Sequence, residues 1–320
     1  MAPRPPIGSL PSASRDVARS LGRVAQAATR PITGRRSLED AASGRTIIVT
    51  GASAGIGRAT ALELGRAGAT VLLVARTTAS LEDVAREIGH AEVHTADLSS
   101  EASTAALLDD VLAAHPVIDV LVNNAGRSIR RSIAQSYDRL HDYERTMRLN
   151  YLAPVQLTLG VVPAMRERGE GHVVNVSTLG VQTSPPRFSA YIASKAALDA
   201  FTRIAAAECA DDGVHFTTVH MPLVRTAMSA PTRLYDRFPA LTPQEAAQLV
   251  TDAIRNRPER VGPRLGTITE IGSAISPTTR ASTCSSTTPA ARSGARSRSP
   301  TTASTTTSGR SSSTTSAPCG

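Results

Sequence analysis

The chain has 320 residues, 41% hydrophobic and 19% charged, with three cysteines and a formal net charge of +8. That length suits one substantial core, and no apolar run reaches the roughly 18 residues of a membrane-spanning helix. The positive charge argues against nucleic acid because it sits at the ends: residues 1–44 carry seven Arg and three acids, residues 276–320 carry five Arg and no acid, and residues 45–275 sum to −1.

Cys209, Cys284 and Cys319 form no CxxC pair, which suits a reducing compartment. The N-terminus has no apolar core leading to a cleavage site, so a cytoplasmic protein is expected. Residues 1–44 read as an N-terminal extension. After a Pro-rich opening, Val17, Leu21, Val24, Ala25 and Ala28 recur at helical spacing with Arg15, Arg19 and Arg23 between them. This partly helical stretch either packs loosely on the domain or lies on a membrane surface, as a peripheral contact, or on a partner.

Thr46–Val49 is the first predicted strand. It runs into Thr50-Gly51-Ala52-Ser53-Ala54-Gly55-Ile56-Gly57, and a helical pattern continues to about Ala67. Glycines let a backbone turn sharply and approach a pyrophosphate, and the new helix offers free N–H groups to that anion. The second strand, Thr70–Ala75, ends at Arg76 with no acid beside it. A carboxylate there would serve an NAD(H) ribose, whereas an arginine pairs with a 2′-phosphate, so NADP(H) is preferred over NAD(H), with Arg58 as an auxiliary. The plain alternative is a solvated strand-end charge. A helix is predicted over Ser80–Ile88. His90 and His94 lack the helical HExxH arrangement, so no metal site is expected. A third strand ends at Asp97-Leu98, where Asp97 either accepts from an adenine amino group or caps the helix beginning near Glu101.

Ile118–Val122 reads as the fourth strand and leads to Asn123-Asn124-Ala125-Gly126, whose amides would tie the loop to neighbouring strands. A long helical zone over 136–166, kinked near Pro154, holds Asn150, a poor residue for a helix interior. The fifth strand, His172–Val176, leads to Ser177. A helix from Tyr191 to about Cys209 and a sixth strand, Val214–His220, follow. Residues 223–242 are loop-rich. Thr242 then caps a helix over 243–256 that opens on Pro243, and a short strand is predicted within 260–265. Strands alternating with helices at this rhythm predict an α/β fold: a doubly wound parallel sheet, or Rossmann fold, over 45–275.

Lys195 is the chain's only lysine, four residues after Tyr191. On a helix the two side chains share a face. A cation held there favours the phenolate and moves the tyrosine toward acid/base work at working pH. The alternative is an ordinary i,i+4 pair on a solvated surface.

Thr50–Gly57, Asn123–Gly126, Asn150, Ser177 and the Tyr191/Lys195 pair, in this order on these elements, resemble the short-chain dehydrogenase/reductase family over about 45–270. The resemblance implies that Tyr191 is the general acid/base and that Lys195 lowers its pKa and holds a nicotinamide ribose. It also implies that Ser177 binds the substrate oxygen and that Asn150 supports a water relaying protons to Lys195. Cofactor contacts are implied for Gly51, Ser53, Gly55, Ile56, Gly57, Arg76, Asp97, Leu98, Asn123, Ala125, Gly126, Tyr191, Lys195 and Thr226. Leu223 departs from the glycine that follows the proline in many members. Homo-dimers or tetramers through the 136–166 and 191–209 helices are implied as well. The segments 138–146, 220–226 and 257–261 are similar to those of bacterial fatty acyl-CoA reductases of this family, implying an acyl-CoA or fatty aldehyde substrate. Leu223, Met228, Leu234 and Phe238 would then cover the chain, and Arg225, Arg233 and Arg237 would face CoA phosphates. The rivals are a ketone or 3-oxoacyl reductase and a non-catalytic NADP-binding sensor or scaffold.

Residues 276–320 hold 25 Ser or Thr in 45 positions and no Leu, Ile, Val or Phe. Such composition cannot offset chain entropy, so a disordered tail is expected, and the abrupt change suits a frameshifted reading of a GC-rich gene.

Overall fold

The computed structural model describes residues 36–232 and 238–262. The predicted helix at 16–29 and the Ser/Thr-rich tail lie outside these residues.

A short helix α1 (Leu38–Ala42) precedes β1 (Thr46–Thr50), α2 (Gly55–Arg66), β2 (Thr70–Ala75), α3 (Thr78–Ile88), β3 (Glu92–Thr95), α4 (Glu101–Ala114) and β4 (Val120–Asn123). Then come α5 (Leu140–Met147), α6 (Ala153–Arg168), β5 (Gly171–Thr178), a single turn α7 (Gly180–Thr183), α8 (Ser189–Glu208), β6 (Val214–Met221), α9 (Pro243–Asn256) and β7 (Arg260–Val261). All strand pairs are parallel, in the order β3-β2-β1-β4-β5-β6-β7. The order reverses between β1 and β4, which opens a crevice at the carboxyl ends of those strands, the place where doubly wound sheets bind ligands.

The central strands are apolar on both faces because helices cover both. Ile47, Val49 and Leu73 point to one layer, where they meet Leu62, Leu64, Leu81, Leu249 and Val250 of α2, α3 and α9. Ile48, Leu72, Leu121 and Val173 point to the other and meet Leu107, Val111, Leu157, Val161 and Met165 of α4 and α6. The core is thus two apolar slabs with the sheet between them.

Three local expectations are settled by backbone chemistry. Thr242 does cap α9: its Oγ1 accepts from Glu245 N at 3.2 Å and the Glu245 carboxylate accepts from Thr242 N at 2.7 Å, a reciprocal capping box. Asp97 does not cap α4. Ser100 does, accepting from Ser103 N at 3.3 Å, while Asp97 Oδ1 accepts from the amide and hydroxyl of Ser99 at 3.0 and 2.7 Å. Finally, 136–166 is not one kinked helix. A 3₁₀ turn (Ile133–Gln135) and α5 lead into a π-helical turn over Arg148–Leu152, and α6 follows. Pro154 has no N–H for the Asn150 carbonyl, and its ring crowds that oxygen. The ladder widens instead, and Ala153 N reaches back five residues to Arg148 O.

Gly169 and Gly213 test how tightly the layers close. Both take positive φ, 73° and 71°, but a Cβ on Gly213 would lie 2.1 Å from Gly169 O whereas one on Gly169 meets nothing within 4 Å. Gly213→Ala should therefore cost roughly 3 kcal/mol or more, and Gly169→Ala about 1 kcal/mol from backbone strain alone. Calorimetry should show Gly213→Ala lowering Tm at least twice as far. Equal losses would contradict the contact.

Candidate active site

The strand ends position two groups of residues around the crevice. The first surrounds the Gly-rich turn. Gly51 and Gly55 adopt φ of 67° and 55°. A Cβ on Gly57 would lie 2.2 Å from Gly51 O and 2.5 Å from Asn124 Nδ2, so only glycine lets α2 press onto the turn. The N-cap of α2, Ala54, supplies no side-chain acceptor, and no acid stands in the first turn. The N–H groups opening this 12-residue helix therefore suit a phosphate. Ser53 and Ile56 are half-buried in the same turn. Thr226, far away in sequence, comes to this turn: its Cγ2 would lie 3.2 Å from a Cβ on Gly55.

Asn124 and Ala125 are bound to β1. The Thr50 hydroxyl accepts from both of their amides at 2.9 and 3.0 Å, and Asn124 Nδ2 donates to Thr50 O at 2.8 Å. Asn123 is different. It is buried, and its Nδ2 donates to Asn175 Oδ1 at 2.8 Å, so its side chain ties β4 to β5. Leu98 packs into the core. Arg76 is exposed at the end of β2, and its charge reaches Asp97. Asp97 is held below the usual carboxylate range first by the Ser99 hydroxyl and amide, then by Arg76. Arg58 makes an ion pair with Glu87 at 2.5 Å.

The second group lies on β5, α8 and the π turn. Tyr191 is half-buried in the first turn of α8, and Lys195 is buried one turn on, at 4% exposure. Lys195 Nζ donates to Val176 O at 2.7 Å, next to Ser177. Burial pushes the Lys195 ammonium down to about 8, and the charge of Asp199 opposes that shift. Ser177 is buried, and its Oγ has no hydrogen-bond partner among the described residues. A buried hydroxyl without a protein partner, at the mouth of a crevice, suits a ligand oxygen. Asn150, fully buried in the π turn, accepts from Arg127 N at 2.9 Å and donates to Arg127 O and Ser194 Oγ, both at 2.9 Å. It clips the loop after β4 to α8. Gly126 lies inside this clip: a Cβ there would sit 3.2 Å from Asn150 Oδ1 and 3.7 Å from Lys195 Nζ.

One pair was not singled out from the sequence. Asp199, a turn beyond Lys195, binds His220 Nε2 at 2.7 Å, and both are buried. The β5–β6 register sets His220 opposite Ser177. The i+4 spacing from Lys195 was a readable signal for Asp199. His220 had no comparable one, because strand register is a tertiary property. Among the described residues no group of three or more potential metal ligands occurs, and no helix is long and apolar enough to cross a membrane.

A family model described as short chain dehydrogenase matches residues 45–236. An uncharacterized oxidoreductase of Mycobacterium tuberculosis is 53% identical over 249 residues, covering 76% of this chain and 73% of its own. A fatty acyl-CoA reductase of Acinetobacter baylyi is 46% identical over 238 residues, covering 73% and 81%. A metagenomic short-chain oxidoreductase, solved in complex with NADP, superposes with a TM-score of 0.59 at 33% identity, covering 67% of this chain and 92% of that one. The parallel sheet with its glycine turn, the buried lysine one helical turn from a tyrosine, and these likenesses agree: the chain belongs to the short-chain dehydrogenase family and is an oxidoreductase.

Proposed function

We propose that the protein reduces the carbonyl of a fatty acyl-CoA or fatty aldehyde with NADP(H), using Tyr191 as the general acid/base. The observation that carries this reading is the buried Lys195 ammonium held on Val176 O, the residue before the unpartnered hydroxyl of Ser177. When bound, the nicotinamide supplies hydride to the carbonyl carbon. The chain supplies the rest. Ser177 Oγ donates to the carbonyl oxygen and polarises it. Tyr191 gives its phenolic proton to that oxygen as negative charge develops there, which turns an aldehyde into an alcohol and an acyl-CoA into a hemithioacetal, whose C–S bond then breaks to release CoA as the thiol and leave the aldehyde. Lys195, held on Val176 O, favours the phenolate that remains. Asn150 keeps the loop after β4 fixed against α8, so the site closes in one geometry. Arg76, with no carboxylate at the end of β2, supports the phosphorylated cofactor, as does the NADP in the metagenomic relative. The acyl-CoA substrate is supported by the fatty acyl-CoA reductase of A. baylyi.

Following NADPH absorbance with decanoyl-CoA and decanal tests the reading directly. Both should be consumed, and turnover on simple ketones alone would refute it. In cofactor-binding protein, Tyr191→Phe should lower kcat by about 10³-fold or more and Ser177→Ala by about 10²-fold. Rates near those of the parent would overturn the assignment.

The pH profile follows from Lys195. Below its value of about 8 the ammonium is present, and it is lost as pH rises. For reduction, kcat/KM should be level near pH 7 and fall progressively above about 8. A level profile to pH 9.5 would contradict this. The same burial costs stability. The unfolded chain binds the lysine proton more tightly, so the penalty, on the order of 3 kcal/mol, is full below about 8 and is relieved as pH rises toward 10.5. Lys195→Met should therefore abolish turnover while Tm at pH 7 holds or rises. A large fall in Tm would contradict the stability argument.

A further inference from the structure

The surface next to the crevice carries more positive charge than the fold consumes. Asp142 is buried, yet Arg131 at 3.2 Å, Arg139 at 3.6 Å and Arg145 at 2.5 Å all converge on it, with His141 at 3.4 Å. Burial works against its charge, but the Arg145 hydrogen bond and the charges of Arg131, His141 and Arg139 outweigh it and hold the carboxyl below its usual range. One carboxylate facing three guanidiniums leaves a surplus of two charges. Nearby, Arg127, Arg130 and Arg187 have no carboxylate partner among the described residues. The Nε atoms of Arg127 and Arg131 are buried with no hydrogen-bond acceptor among those residues. An ion-pair network that served only stability would match its charges, since unmatched guanidiniums repel one another.

The geometry gathers this surplus beside the proposed reacting centre. Arg187 stands four residues before Tyr191 and holds φ at 75°, a left-handed conformation that is unfavourable for a non-glycine residue. Its carbonyl accepts from Arg131 N at 2.7 Å, which ties the two arginines together. Between them lies a shallow depression of about 10 Å³, lined also by Ser136, Asp142, Tyr143 and Ser189. Tyr143 Oη and Ser189 Oγ are 2.7 Å apart, so α5 is fastened to the start of α8, the helix of Tyr191 and Lys195. The guanidiniums around this depression outnumber the Asp142 carboxylate, and with the hydroxyl residues they are a donor set for phosphate oxygens at the surface.

We infer that this arginine surface, centred on Arg130, Arg131 and Arg187, binds the phosphates of the coenzyme A portion of the substrate. The inference rests on the acyl-CoA reading above. It places the phosphate contacts on the segment after β4 and before α8, apart from the 223–242 loop, whose Arg233 and Arg237 lie outside the described residues. Lipid headgroups carry the same phosphate chemistry, and Ile133, Tyr137 and Leu140 are 60%, 84% and 68% exposed on the same segment. Adjacency to Ser189 and Ala190, directly before Tyr191, favours a ligand that continues to the reacting carbonyl.

The test is the full chain carrying Arg130→Gln and Arg187→Gln together. Both residues are exposed and without carboxylate partners among the described residues, so the fold should hold. Steady-state rates with decanoyl-CoA and decanal, and calorimetric titration with CoA and 3′-dephospho-CoA, are the readouts. KM for decanoyl-CoA and Kd for CoA should rise about tenfold, while KM for decanal stays within about twofold. Unchanged CoA values, or an equal rise for decanal, would overturn the inference. So would lost sedimentation with phosphatidylglycerol vesicles when the CoA values are unchanged. If the parent reduces decanal but not decanoyl-CoA, the acyl-CoA reading fails by itself. CoA titration then still decides the surface: binding that the double variant weakens upholds it, and no binding to the parent overturns it.

Discussion

A lysine ammonium at 4% exposure is an unfavourable thing to build into a protein, and the architecture around it is what makes it tolerable. The Val176 carbonyl takes one of its protons at the end of β5. Asp199 offers charge from one turn further along α8, and His220 on β6 holds Asp199 in turn. The lysine therefore needs two adjacent parallel strands and the helix that crosses them to be in register. Ser177, next to Val176 and paired with His220, inherits its position from the same register. The fold places the chemistry by fixing where one charge can be afforded.

The second organising constraint is the sharing of polar groups between neighbouring segments at the crevice. One hydroxyl, Thr50, holds two amides of the loop after β4. One amide, Asn150, holds the continuation of that loop and reaches Ser194 on α8. Few of these atoms are spare, so the loop has little freedom to drift from the glycine turn on one side or from Lys195 on the other. Such preorganisation is what a proton donor and a polarising hydroxyl need if they are to act on one oxygen.

Much of this was legible in the sequence because it is local. Apolar runs at Thr46–Val49 and Thr70–Ala75, the glycine turn and the Tyr191/Lys195 spacing follow from backbone sterics and helical period. Thr242 and Pro243 announced α9 through capping chemistry. What escaped depends on tertiary neighbours. Asn123 looks like its neighbour Asn124, yet one joins strands while the other braces the turn, a difference decided by strand alternation. Arg58 meets Glu87 of α3, a partner that only the tertiary fold brings to it. Asp97 has the chemistry of a cap, but Ser100 stands closer to the helix start.

The widened turn at Arg148–Leu152 has a consequence for how this region tolerates change in length. A π turn holds one residue more than the α turn it replaces. Because that extra residue is held within one turn, α5 and α6 keep nearly the phase of an uninterrupted helix, and removing it would still leave Pro154 crowding the carbonyl four residues before it. Asn150 would be displaced from the loop it holds through Arg127. The irregular turn thus sets where that amide stands, and the chain can shed a residue almost anywhere on its surface more safely than within it.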